Sequence, residues 1–318
     1  MANEPRPYLG GSDIAAVVGL SPWKTPLALW QEKVDALQGK APEDTDSPVK
    51  ARGRRWETPA REMLLDELAE REMPCALGLV NQRHAHTPAP WMRAEIDAEL
   101  IPSGLPEIWN AEIKTVSPFA SRKEWGEEES DEIPVWYTTQ AQWGLMVTGR
   151  SICVVGALFG ADRLRPYVVE RDNEVIAWLT DRATTFWHNH VLADVPPPAT
   201  NLADLALLYP KHMDFSMQAD VYLTQKLVRM RALAAEMKAR EAEWDELEFE
   251  LKCAMGANSA LVLPDSDTPV LTWKTESRKV LDQESLKSEH PDIVKAFTRT
   301  SESRVFRFKP FAMERVMP

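Results

Sequence analysis

Short strand-like segments alternate with amphipathic helices through the first half of this chain, and this pattern constrains the fold most. The strand-like segments are Ala76–His84, Met92–Leu100, Trp109–Thr115, Ser151–Phe159 and Tyr167–Arg171. The helical segments are Ser12–Leu20, Thr25–Leu37, Val49–Arg71, Val135–Thr148 and Asn173–Leu192. Strands flanked by helices predict an α/β fold in which helices cover a central mixed β-sheet.

The pattern changes after the proline-rich segment 194–200, DVPPPAT. Apolar residues then recur at three- and four-residue steps, which predicts one long helix over Met217–Met255 ended by Gly256. Beyond it we expect a small α+β module. Its elements are strands near Leu261, at Val270–Thr275 and at Arg304–Phe308, and a helix over Asp282–Phe297. The predicted parts are therefore 1–195, a linker with a coiled-coil-like helix over 196–256, and 257–318.

Three dispersed cysteines, Cys75, Cys153 and Cys253, form no metal-binding motif and predict reduced thiols in a cytoplasmic protein. The N-terminus lacks the apolar region of a signal peptide, and no apolar run is long enough for a membrane span. We therefore expect no membrane partner.

The formal net charge of -12 at first disfavours a nucleic-acid partner. However, two acidic blocks, Glu124–Glu132 and Glu241–Glu250, contain six acids each and no base. The remainder of the chain is therefore neutral, and a local DNA-binding surface is compatible with this charge.

The tripeptide Glu112-Ile113-Lys114 lies on a predicted strand. Alternation along a strand places Glu112 and Lys114 on one face and Ile113 in the core. Asp97 on a neighbouring strand would complete an oxygen site for Mg²⁺, and Glu57 on a helix would bind a second metal ion or its water. The alternative is an ordinary ion pair on a strand, which is the commoner origin of this spacing.

The order of these residues, with further motifs, resembles the YqaJ-type viral recombinase family. This family is related to phage lambda exonuclease within the PD-(D/E)xK nuclease superfamily. The motifs lie at Gly10–Ala15, Gly19–Trp23, Arg52-Gly53 with Glu57, Glu112–Lys114, and Tyr137 with Gln140 and Gln142. The resemblance covers about residues 6–192 and implies a restriction-endonuclease-like core.

The resemblance also implies an activity and partners. The activity is Mg²⁺-dependent 5′-to-3′ exonuclease action on linear double-stranded DNA, with Mn²⁺ as a substitute ion. The partners are DNA ends and the single-strand annealing protein of a phage recombination system, and relatives that form rings suggest a homo-oligomer.

The implied roles of individual residues are as follows. Asp97, Glu112, the Ile113 carbonyl and Glu57 would hold metal, Lys114 would be the catalytic lysine, Gln140 would be a polar contact in the active site, and Ser12, Arg6 and Arg54 would bind the 5′-phosphate end.

One departure from the family pattern concerns Glu95-Ile96-Asp97-Ala98, where relatives carry Pro and Gly beside the aspartate. Two alternatives to the exonuclease stay open, and the altered flank of Asp97 favours the second of them. One is a structure-specific endonuclease of the same superfamily, and the other is a non-catalytic protein that binds DNA ends or a recombination partner. Trp23 and Trp30 are candidates for base stacking, with core packing as the alternative.

Overall fold

The structure is a computed structural model that describes residues 4–40, 47–117, 124–126, 130, 132–161 and 163–309. The part of the predicted loop Gly39–Pro48 at 41–46 lies outside these residues. So do parts of the acidic block Glu124–Glu132 and the end of the C-terminal module at 310–318. The chain divides into two compact units, Met1–Leu208 and Tyr209–Pro318. Among the described residues, no helix is both long and apolar enough to cross a membrane.

The first unit is built on a five-stranded mixed sheet, which confirms the predicted α/β class. Its strands are β1 (Cys75–His86), β2 (Ala89–Pro102), β3 (Trp109–Val116), β4 (Ile152–Phe159) and β5 (Arg163–Glu170). They are paired in sequence order. Only β3 and β4 are parallel, because a helical crossover connects them, and the other neighbours are antiparallel.

Helices cover both faces of this sheet. The helices of the first unit are α1 (Gly11–Val17), α2 (Pro26–Leu37), α3 (Pro48–Glu70), α4 (Val135–Thr148), α5 (Asn173–Phe186) and α6 (Leu202–Leu208). The sheet has one hydrophobic core on each face, and β4 contributes side chains to both. Val154 and Leu158 pack with Leu64 of α3, whereas Val155 packs with Trp143 of α4. The face toward α4 also receives α1, α2 and α5 and holds the larger core.

Several helix bounds differ from the prediction for local reasons. Helix α1 is shorter than Ser12–Leu20 and is capped at Gly10, whose N–H donates to the Asp13 carboxylate at 2.9 Å. The predicted helix Asn173–Leu192 becomes α5 followed by a π-helical turn, Trp187–Leu192. Helix α3 continues through Pro59.

Helix α6 was not expected from the sequence, and it extends the first unit past the predicted boundary at residue 195. Asp204 of α6 is buried and accepts hydrogen bonds from the Thr25 hydroxyl at 2.6 Å and from the backbone and side chain of Thr200, each at 2.8 Å. These bonds fasten α6 to the N-terminal cap of α2.

The second unit contains α7 (Val221–Met255), β6 (Ala260–Val262), β7 (Pro269–Thr272), α8 (Gln283–Glu289) and α9 (Pro291–Phe297). Helix α7 begins later than Met217 because Asp220 caps it, accepting from the Leu223 N–H at 2.8 Å. Two expectations for the C-terminal module were wrong. The helix Asp282–Phe297 is interrupted at His290, before Pro291. Residues 304–308 form no strand, because no strand in the described part of the chain pairs with them.

Candidate active site

Strands β2 and β3 stop pairing at Asp97. Their ladder runs from Leu100–Trp109 to Ala98–Ala111. Beyond it the Ile113 N–H donates to the Asp97 side chain (Oδ2) at 2.7 Å instead of to a backbone carbonyl. The strand order therefore places the Asp97 carboxylate directly beside the Glu112-Ile113-Lys114 segment.

Glu112 and Lys114 face the same side of β3, as strand alternation predicts. The Lys114 Nζ donates to Glu112 Oε1 at 2.6 Å and to Gln140 Oε1 of α4 at 3.1 Å. The Gln140 amide also donates to Glu112. Ile113 points the other way, and a side chain at Gly156 of β4 would place its Cβ only 3.2 Å from Ile113 Cδ1. The structure thus brings Asp97, Glu112, Lys114 and Gln140 into one cluster.

The Lys114 side chain is a largely buried cation. Its ammonium lies 4.9 Å from the centre of the Tyr137 ring, and its side chain is only 16% exposed. Burial alone would lower its pKa, but Glu112 and Asp97 outweigh burial and hold the Lys114 pKa above its ordinary value. A lysine in this state supplies positive charge and hydrogen bonds and does not accept a proton.

Asp97 experiences the opposite balance. Burial raises its pKa first and repulsion from Glu112 second, with a smaller contribution from Glu57. Attraction to Lys114 and the Ile113 N–H offset part of this effect, and the pKa of Asp97 is about 7. Excess negative charge of this kind is typical of sites that bind a cation.

We expect Asp97→Asn to stabilise the protein above pH 7 when divalent cations are removed. The folded-state pKa is raised, so the contribution of Asp97 to stability is fully present below about pH 4 and is lost as pH rises from there through 7. Asparagine does not ionise, and its amide oxygen accepts from the Ile113 N–H. The variant should gain about 2–4 kcal/mol at pH 8 and almost nothing at pH 4.

Denaturant unfolding with a chelator at both pH values measures this effect. Asp66→Asn, at an exposed position of α3, is the matched control and should change stability by less than about 0.5 kcal/mol. An Asp97→Asn protein that is less stable than wild type at pH 8 would contradict the prediction.

Glu57 lies on α3 and connects to the cluster through a residue that the sequence did not single out. Arg61 Nη1 donates to Glu57 Oε1 at 3.0 Å and to the Asp97 backbone carbonyl at 3.1 Å. Arg61 therefore ties α3 to β2 at the point where the ladder ends. The four-residue spacing from Glu57 was a detectable signal, but it also describes an ordinary helical ion pair.

The oxygen atoms of this cluster fit a hard divalent cation. Asp97, Glu112 and the Ile113 carbonyl are the donor types that Mg²⁺ takes, with Glu57 as an additional carboxylate. In the described part of the chain, however, no three acidic, histidine or cysteine side chains already form a metal-binding group. Glu112 instead contacts Lys114 and Gln140. The residues could hold the ion, and when bound it would polarise a phosphodiester oxygen and acidify water.

The predicted end-binding residues lie on elements around the cluster. Ser12 is exposed on α1, and its neighbour Gly11 packs so closely on α4 that an added Cβ would lie 3.3 Å from Gln140 Cγ. Arg6 is also exposed, with one guanidinium nitrogen against Gly10. Arg54 is exposed on α3. The structure places these three side chains at the surface.

The residues on either side of Asp97, which depart from the family pattern, lie within the uninterrupted strand β2. Ile96 is 3% exposed and packs in the core on the α4 side, whereas Ala98 is 1% exposed and packs on the α3 side. The residues that replace Pro and Gly are therefore core residues. They hold Asp97 beside Ile113 without a flanking Pro and Gly.

The two candidate stacking tryptophans have different environments. Trp30 is buried and its indole N–H donates to the His190 carbonyl at 3.0 Å, so it is a packing residue. Trp23 is 71% exposed and meets Trp136 edge to face, with ring centres 5.7 Å apart. It also contacts Tyr137, whose ring lies beneath Lys114.

Residues 5–151 match the YqaJ-like viral recombinase domain. The protein YqaJ of Bacillus subtilis (strain 168) is 24% identical over an alignment 318 residues long. The alignment covers 96% of this chain and 92% of that protein.

Two solved structures are also similar. The alkaline exonuclease LHK-Exo from Laribacter hongkongensis shares 17% identity with a TM-score of 0.47, covering 60% of this chain and 91% of that one. A phage-related exonuclease from Haemophilus somnus 129PT shares 12% with a TM-score of 0.42, covering 59% and 96%. The similarity to the YqaJ-like viral recombinase domain therefore covers residues 5–151, a little under half of this chain.

Proposed function

We propose that this protein is a Mg²⁺-dependent exonuclease that degrades linear double-stranded DNA from 5′ to 3′. The observation that carries the proposal is the contact of the buried Lys114 ammonium with Glu112 and Gln140, beside an Asp97 carboxyl of raised pKa. Mn²⁺ would substitute for Mg²⁺. The 3′ single strand left by this reaction is the substrate of an annealing protein, which we propose as the partner.

The residues of the cluster take distinct roles in this reaction. Asp97, Glu112, the Ile113 carbonyl and Glu57 hold the cation. Lys114, kept charged by its carboxylate neighbours, stabilises the negative charge that develops on the phosphorane. Gln140 fixes Lys114 through its amide oxygen and Glu112 through its amide nitrogen.

End recognition would come from α1 and α3, which reach the cluster from two directions. Ser12 and Arg6 would bind the terminal 5′-phosphate, and Arg54 would contact the DNA backbone. The support is the close approach of Gly11 to Gln140, where an added Cβ would lie 3.3 Å from Gln140 Cγ. We propose that the active protein is a homo-oligomer around or beside DNA.

End-labelled linear duplex and a covalently closed circle of the same sequence test this function. We expect Mg²⁺-dependent degradation of the linear duplex with a preference for 5′-phosphorylated ends, an intact circle, and no reaction in EDTA. Cleavage of the circle would identify an endonuclease. Binding of linear DNA without hydrolysis at any divalent ion concentration would identify a non-catalytic protein.

We predict that Trp23→Ala weakens binding to DNA with a single-stranded end by about tenfold, because base–aromatic stacking contributes about 1–3 kcal/mol per base. Fluorescence anisotropy with the cation replaced by Ca²⁺ measures binding without hydrolysis. Trp23→Phe should retain most of the affinity. Trp178→Ala, on α5 and 45% exposed, is the control and should bind normally. Equal binding by both alanine variants would exclude Trp23 as a stacking residue.

A further inference from the structure

Helix α7 is long and almost wholly exposed. All 35 of its residues are described, and Met255 alone is buried. Large apolar side chains face solvent, including Met237 at 70% and Trp244 at 68% exposure. A helix of this length with exposed apolar side chains gains stability chiefly by packing on another surface.

The apolar residues of α7 include a regular stripe. Leu223, Met230, Met237, Trp244 and Leu251 follow one another at seven-residue steps, and together they are called the α7 stripe. A seven-residue apolar repeat over this length supplies one of the two apolar positions of each coiled-coil heptad, and Leu233 and Leu247 supply part of the other. The stripe therefore predicts a helical occupant.

The charges of α7 are divided between its two halves. Residues 221–240 contain five basic side chains, Lys226, Arg229, Arg231, Lys238 and Arg240, and one acid, Glu236. Residues 241–255 contain six acids, Glu241, Glu243, Asp245, Glu246, Glu248 and Glu250, and one base, Lys252. The helix thus carries opposite charge at its two ends, with the division close to Met237.

We propose that α7 pairs with α7 of a second copy of this chain in antiparallel orientation, centred near Met237. Reversal lays the basic half of each helix along the acidic half of the other. The same reversal joins the two stripes, with Leu223 near Leu251 of the other copy. Parallel pairing would align like charges and bring together Glu241 and Glu248, which lie beside the seam. Apolar contact supplies the affinity and charge sets the orientation.

Charge reversal in the full-length chain tests the pairing. One variant carries Lys226→Glu, Arg229→Glu and Arg231→Glu, and the other carries Glu243→Lys, Asp245→Lys and Glu248→Lys. Each alone should weaken self-association by about tenfold or more, and an equimolar mixture should restore it. Sedimentation equilibrium over a concentration series measures this, with circular dichroism to confirm that the helices persist. A wild-type monomer, or association unchanged in both variants, would overturn the proposal.

The exposed Cys253 near the end of α7 reports the orientation. In a Cys75→Ser background, a spin label on Cys253 should give a distance of about 48 Å between copies, because each label lies 16 residues from Met237 at 1.5 Å per residue. A distance near 10 Å would show parallel pairing and overturn the proposal.

Pairing is independent of nuclease activity, so an inactive Lys114→Ala protein should pair normally. Association that requires an added basic protein would identify a different occupant and also overturn it.

Discussion

Lys114→Ala should lower the rate of duplex hydrolysis by about 10²–10³-fold at saturating Mg²⁺, as removal of one preorganised oxyanion donor does in other hydrolases. The substitution removes the ammonium that contacts both Glu112 and Gln140. Among the described residues, no other charged group makes both contacts. It leaves the Asp97–Ile113 hydrogen bond untouched. The loss should appear in kcat, because the developing charge exists only in the transition state.

Measurements of metal binding distinguish a catalytic role of Lys114 from the role of a metal ligand. Lys114→Ala removes the ammonium that competes for Glu112, so titration calorimetry should show Mn²⁺ binding at least as tight as in wild type. Glu112→Gln should lose both metal binding and hydrolysis. Lys40→Ala is the control, because Lys40 also pairs with a carboxylate at 2.8 Å but is exposed on α2's C-terminal side, and its rate should be unchanged. Hydrolysis by Lys114→Ala within twofold of wild type would exclude the catalytic role.

The strand residues of the site could be predicted from the sequence because their geometry is local. Alternation along β3 places Glu112 and Lys114 together whatever the surrounding fold. The pairing of β2 with β3 follows from their order along the chain, since consecutive strands are usually neighbours. These two rules account for the contact of Asp97 with Ile113.

Arg61 and the flank of Asp97 could not be predicted in the same way, because they depend on packing. Arg61 donates to the Asp97 carbonyl because α3 packs against the sheet beside this part of β2. Ile96 and Ala98 flank Asp97, and each enters a core on a different face. Neither arrangement produces a periodic residue pattern in the sequence.

Errors in the C-terminal module have a related origin. The apolar residues near Val305 and Phe306 resemble a strand, but strand formation needs a partner with free backbone groups. The described part of this unit pairs only β6 with β7, and Val305 and Phe306 remain 66% and 80% exposed. A local pattern is insufficient where the tertiary partner is missing.

Lys33→Met should destabilise the first unit by about 3–5 kcal/mol, because it leaves a buried carboxylate without its cation. The Lys33 Nζ lies 2.8 Å from Asp13 Oδ2, and the two side chains are 0% and 4% exposed. Burial alone would raise the pKa of Asp13, but Lys33 and Arg6 hold it below its ordinary value. A depressed pKa stabilises the fold above about pH 4, and this contribution is lost as pH falls further.

A second substitution distinguishes the unpaired charge from lost packing. Asp13→Asn keeps an acceptor for the Gly10 N–H at 2.9 Å, so the Asp13→Asn/Lys33→Met double variant should recover most of the wild-type stability at pH 7. Lys40→Met, at the exposed pair with Asp35, should cost less than about 1 kcal/mol. Chemical denaturation at pH 7 measures all three. A double variant as unstable as Lys33→Met would show that the lysine stem, and not its charge, joins α2 to α1. The position of Gly11 beside Gln140 would then depend on packing alone.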